Sequence, residues 1–263
     1  MLLLLVAGLS AGCQPETRSP VDTVRALDAP RETLEGGTAA ERDSALAVLQ
    51  RMRRTTFDSA YVRMRDYAFM RHQRTSHLTP SGAIAARHTR ILRYAPEDAQ
   101  PTVVQSDSVG TFPQPTLSTF GPSADLDPVP ANVATAAVPA DAAYRSPRTQ
   151  EAFRYGLRAD TLDGVPVHAL TVQPTPDAAG AEQATRYARL LIARDTNQLL
   201  AATTLRRTQV LLFYEESRLR LHLRQTSDGT WVPHLAHFHT VVDLPFRAPR
   251  FVQTTSAYST YRP

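Results

Sequence analysis

From about residue 61 to the C-terminus, apolar and polar positions alternate. Leu219, Leu221 and Leu223 are interleaved with Arg218, Arg220, His222 and Arg224. Phe153, Tyr155, Leu157 and Ala159 are interleaved with Arg154, Gly156, Arg158 and Asp160. A period of two places each set on one face of a β-strand, with the apolar side inward. Similar stretches cover 61–74, 84–94, 103–109, 165–173, 185–194, 198–207, 210–215, 231–243 and 251–261. Turn chemistry separates several of them: Thr79-Pro80-Ser81-Gly82, Asp163-Gly164, Asp195-Thr196-Asn197 and Asp228-Gly229. Roughly eleven strands result, too many for one flat sheet, so the pattern predicts a curling antiparallel meander.

One stretch has a different period. Ala45, Leu49 and Met52 recur at i, i+4 and i+7, with Leu46 and Val48 beside them. Thr38 and Glu41 stand at capping-box spacing just before. This predicts a single amphipathic helix over about 39–54. Of the 20 prolines, nine lie between Pro96 and Pro147. Residues 111–147 therefore read as a long Pro-rich insertion, a loop or cover segment inside one β domain spanning 38–263.

The N-terminus carries an address. Leu2 to Ala11 is an apolar run of signal-peptide length, too short to span a bilayer. It ends in Leu9-Ser10-Ala11-Gly12-Cys13, which resembles the lipobox of bacterial lipoproteins. The resemblance implies that residues 1–12 are removed and that Cys13 carries acyl chains of the palmitate kind. Residues 13–37, with Pro15, Pro20 and Pro30, then form a tether. Gln14 is not the aspartate that retains some lipoproteins at the inner membrane, so the expected place is the outer membrane, facing the periplasm.

Composition narrows the chemistry. The chain has 263 residues, 42% of them hydrophobic, enough for a domain with a real core. All 29 basic residues are arginine; there is no lysine. That excludes a Schiff-base lysine and a P-loop lysine. Cys13 is the sole cysteine, so no intramolecular disulfide forms and no Cys-based zinc site exists. A net charge of +4 is too small for a dedicated nucleic-acid binder. No nucleophile-elbow, zincin, P-loop or dinucleotide-binding motif occurs. The expectation is a monomer with no covalent chemistry and no cofactor.

Four groups of residues could carry chemistry. His237 and His239 share a strand face, about 7 Å apart, and are the only candidate metal pair; His234 points the other way. The plainer reading is histidine as a polar strand residue. The stripe Arg218, Arg220, His222 and Arg224 suits anionic lipid headgroups or lipopolysaccharide phosphates, or simply a solvated face. Glu215 and Glu216 are adjacent on a strand and so point apart, which argues against a shared acid–base site. The apolar face of Tyr155, Leu157, Leu191, Leu219, Leu221 and Leu223 is either core or the wall of a ligand groove.

A lipobox, a tether, an N-terminal helix and a long meander together resemble the LolA/LolB/RseB-like group of periplasmic lipid- and lipoprotein-binding proteins. The hairpin-like segment from Tyr187 to Thr196 belongs to the same pattern. The resemblance covers about residues 38–261. It implies an unclosed, strongly curved half-barrel whose concave face is plugged by helices. It also implies a lipid-anchored envelope protein that binds a lipid or a lipoprotein acyl chain in an apolar groove. The alternative is a structural or interaction lipoprotein with a filled core, acting as an envelope scaffold. A metal-dependent or hydrolytic enzyme is the third reading.

Overall fold

The computed structural model describes residues 38–79, 81–98, 100–112, 138–139, 142–176, 183–210, 213–243 and 250–263. Cys13, the tether and most of the Pro-rich insertion lie outside the described residues.

Helix α1 runs over Ala39–Arg51. Its capping box forms as the sequence predicts: Thr38 Oγ1 accepts from the Glu41 amide at 3.3 Å, and the Glu41 carboxylate accepts from the Thr38 amide at 2.7 Å. Ala45, Val48, Leu49 and Met52 form its buried stripe. A second helix, α2, runs over Thr55–Arg63. The sequence reading began a strand at Tyr61 instead. The signal for the helix was present: Phe57, Ala60, Tyr61 and Met64 recur at i, i+3, i+4 and i+7, and all four are buried. The joint between the helices is pinned to a hairpin. The Arg53 amide donates to the Asn197 carbonyl at 2.8 Å, and the Leu199 amide donates to the Arg53 carbonyl at 2.9 Å. The Thr56 amide is held by Gln198 Oε1 at 3.1 Å.

Ten strands follow among the described residues: β1 (Ala68–Leu78), β2 (Ile84–Tyr94), β3 (Thr102–Val109), β4 (Phe153–Leu162), β5 (Val165–Pro174), β6 (Gln183–Ala193), β7 (Leu199–Val210), β8 (Phe213–Gln225), β9 (Trp231–Asp243) and β10 (Arg250–Arg262). They form one sheet in the order β3-β2-β1-β10-β9-β8-β7-β6-β5-β4, and every adjacent pair is antiparallel. The mainly β, unclosed meander is thus as expected. The count is ten and not eleven because 210–215 and 218–225 do not form separate strands. β8 continues through Glu215-Glu216-Ser217, where Glu216 is held by Arg207 of β7 at 3.0 Å. Asp163 and Gly164 adopt φ of 49° and 84°, the left-handed pair that a tight β4–β5 hairpin needs.

The order explains the long insertion. β3 and β4 are consecutive in sequence yet stand at opposite edges of the sheet. Of the connection between them, Val138, Ala142 and Tyr144 are buried in the same cluster as α1, α2 and the sheet. The Arg54 guanidinium donates to the Val138 carbonyl and to Asp58.

Both helices lie on one face. α1 packs on β4 and β5, α2 on β7 and β9. One apolar cluster runs from Phe153 on β4 to Tyr258 on β10 and Phe69 on β1, so the sheet curves around the helices. A second, smaller cluster of Val167, Ala193 and Leu200 sits on the other face.

Candidate binding faces of the sheet

Antiparallel partners share a face, so the register assigns every side chain. Leu221 pairs with Ala202 and Ala236, and Leu219 with Thr204 and Phe238. Leu223 pairs with Pro233 across a bulge. Tyr155 and Leu157 pair with Val172 and Leu170, which pair in turn with Ala188 and Leu190. All of these point toward the helices. Tyr155, Leu219, Leu221 and Leu223 are buried in the main cluster, with Leu221 and Leu223 at 0% exposure; Leu157 packs at its margin.

Leu191 does not join them. Leu190 occupies the helix face, so Leu191 faces outward, opposite Ala169 and Ala201, and packs on the small second cluster. Sequence reading put Leu191 with Leu221 because Leu190-Leu191-Ile192 is apolar at consecutive positions. Alternation has no phase in such a run.

The helix face is closed at its β4 end by polar contacts as well. Tyr155 donates its hydroxyl to the Tyr144 carbonyl at 2.7 Å. Burial pushes the Tyr155 and Tyr144 phenols up to about 12, so both stay neutral. Tyr144 packs edge-on against Phe153 at 6.1 Å.

Toward β10, β1 and β2 the same face turns polar. Arg71, Gln73, Thr254 and Ser256 are buried there. Arg71 donates through Nε to Ser256 Oγ at 3.1 Å, and its guanidinium lies 5.9 Å from the centre of the Tyr258 ring. Beside it Phe69 stacks on Tyr94 at 4.5 Å and on Tyr261 at 5.4 Å. Sequence analysis did not single out Arg71. The only available signal was its parity with Phe69, two residues earlier on the same strand.

The outer face carries His237, His239 and most strand arginines. His237 lies opposite Arg220 and Thr255, and His239 opposite Arg218 and Gln253. His237 Nδ1 is within hydrogen-bond distance of Thr255 Oγ1, at 3.0 Å. Both imidazoles have a guanidinium as cross-strand neighbour, surroundings that disfavour an added cation. Among the described residues, no group of three or more His, Cys, Asp or Glu side chains is placed to hold a metal ion. Glu215 and Glu216 point to opposite faces, as alternation requires; burial raises the Glu215 carboxyl above its ordinary range.

His222, within the arginine stripe, supplies a pH dependence. Burial, then the neighbouring Arg220 and His234, push its imidazole down to about 4, with Arg189 acting in the same direction and Asp163 opposing. His234 is lowered too, by burial first and Arg224 second. The folded state therefore holds both rings neutral. Below an unfolded value of about 6.5 the unfolded chain binds more protons, so stability falls as pH drops from about 6.5 toward 4 and levels off below. A loss on the order of 2 kcal/mol is expected across that window. Urea midpoints measured against pH check it, and His222→Gln should flatten the slope.

No protein-family model matches this chain, and no curated protein sequence does. Among solved structures it is similar to the crystal structure of a LolA superfamily protein from Nitrosomonas europaea. The identity is 11%, the TM-score 0.23, and the alignment covers 83% of this chain and 92% of that one. It is also similar to the crystal structure of MucB in complex with MucA(peri), at 12% identity and a TM-score of 0.18, covering 86% and 99% of the two chains. The first bears the name of the group that the sequence resembles. With TM-scores this low, neither alignment carries an argument about what this chain binds.

Proposed function

We propose that this protein is a non-catalytic binding module of the bacterial envelope. A lipid on Cys13 holds it at the outer membrane, facing the periplasm, and it meets its partner with the outside of the sheet. The observation that carries this reading is the filled interior. Leu170, Leu190, Leu221 and Leu223 have 0% exposure beneath Val48, Leu49, Phe57 and Met64. Side chains that would line an acyl groove already touch one another and the helices. Carriage of a drug-sized or larger ligand calls for a cavity of several hundred Å³.

A second reading keeps a lipid or lipoprotein acyl chain as ligand. One observation favours it: α1 rests on β4 and β5, and β4 is the edge strand. Lifting that helix would uncover Tyr155, Leu170 and Leu190 without breaking a strand pair.

A fluorescent fatty acid titrated into the Cys13→Ser protein separates the two. The filled interior predicts no saturable uptake. Saturable, stoichiometric binding that is weakened by Leu190→Trp in a folded protein would overturn the first reading and establish the second.

A further inference from the structure

The two edges of the sheet are finished differently. β4 lies against α1, and its Phe153 and Tyr155 are buried. It also carries Arg154, Arg158 and Asp160, and charge along an edge discourages pairing with a further strand. β3 has neither protection. All eight of its residues are exposed, and among the described residues its only hydrogen-bonded strand neighbour is β2. The strand Thr102-Val103-Val104-Gln105-Ser106-Asp107-Ser108-Val109 holds one charged side chain and no proline. Five large apolar side chains stand exposed among the described residues. Three of them, Val103, Val104 and Val109, are on β3, at 54%, 55% and 53%, and Ile84 is on the adjoining β2. The open side of such a strand offers backbone N–H and C=O groups to any strand laid beside it.

The order of side chains decides which strand fits. About Ser106, β3 is nearly a palindrome: Gln105 and Asp107 flank it, and Val103 and Val109 stand at equal distances beyond. A two-fold axis through Ser106 therefore sets two antiparallel copies in a self-complementary register. Ser106 meets Ser106 of the second copy, and Gln105 meets Asp107 of the second copy, twice by symmetry. Gln105 and Asp107 share the outer face, opposite Ile91 and Thr89 of β2, so each amide can donate to the facing carboxylate. Val109 of each copy reaches the Val103-Val104 end of the other. An axis through Asp107 would instead set two carboxylates against each other, which is unfavourable.

We propose that β3 is a dimerisation edge, on which a second copy of this chain lays its own β3 antiparallel about Ser106. The two sheets then continue into one another, and a pair replaces the monomer expected from the sequence. The inference uses the edge of the sheet and neither face, so it stands apart from the acyl and envelope readings above. One strand pair buries less than a standard interface, and association is expected at concentrations on the order of 0.1 mM.

The test uses the full chain with Cys13→Ser, which has no cysteine of its own. Single cysteines are introduced as Ser106→Cys, Ser108→Cys and, in the exposed β8–β9 turn, Ser227→Cys. Residues directly opposite in an antiparallel pair have Cα atoms about 5 Å apart, within disulfide reach. The two copies of position 108 would be about 14 Å apart. Under mild oxidation, with each rate divided by that thiol's rate toward a small disulfide reagent, Ser106→Cys should give linked dimer about tenfold faster than the other two. Gln105→Arg, which faces a guanidinium to each Asp107, should tighten association in sedimentation equilibrium by about threefold, and Gln105→Glu should weaken it by a similar factor. Position 105 is exposed, so both variants should keep the parent's urea midpoint. Equal linking rates at the three positions overturn the proposal, as does faster linking at position 108 than at 106. Association that ignores the charge at position 105 overturns it too. A chain that stays monomeric at every concentration also overturns it, and leaves the β3 edge to a strand of another protein.

Discussion

Leu221→Asp is expected to destabilise the domain by about 4 kcal/mol or more, while Arg220→Gln, one residue away, costs under about 1 kcal/mol. Leu221 is at 0% exposure on a central strand. It sits between Ala202 of β7 and Ala236 of β9 in the cluster that α1 and α2 close. No described cation stands on that part of the helix face, so the new carboxylate would be buried among aliphatic side chains and would stay protonated or drive the helices off. Arg220 points the other way, half-buried on the outer face beside Thr203 and His237. Urea unfolding of both variants, with a common slope for comparison, checks the contrast. Similar losses for the two would mean that β8 is registered differently.

Cys13→Ser should move the protein almost completely from the membrane fraction to the soluble periplasmic fraction. Stable attachment of a tethered domain needs two or three acyl chains, each buried methylene contributing about 0.8 kcal/mol, and serine cannot be thioether-linked to a lipid. No helix among the described residues is long and apolar enough to cross a membrane. Fractionation before and after a high-salt wash checks this. Wild-type retention of the serine variant after the wash would contradict the anchor.

How legible the fold was depended on the local signal at each element. The α1 cap was readable because Thr38 and Glu41 satisfy one another's neighbouring amides within a single turn. The β4–β5 hairpin was readable because Asp163-Gly164 can adopt the two left-handed conformations that a two-residue turn needs. β8 was readable in phase, since Leu219, Leu221 and Leu223 have no apolar competitor between them. Its length was misjudged, because Glu216 looks like a strand end until Arg207 stands opposite it. α2 was misread because Tyr61, Tyr67 and Phe69 also suit a strand, and nine residues give helix periodicity little room to declare itself.

What the sequence determined by itself is local and periodic: the strands, their turns, the capped helix, and which face of most strands is apolar. These follow from side-chain geometry over two to seven residues. Tertiary structure alone decided the rest. It closed β1 onto β10, residues nearly two hundred positions apart, and so left β3 and β4, consecutive in sequence, at opposite edges of the sheet. It placed Leu219, Leu221 and Leu223 in one buried cluster with residues of both helices, a placement that an alternating strand does not reveal by itself. And it gathered Arg154, Arg189 and Arg220 onto one surface, because charge on a face is a sum over strands that only register brings side by side.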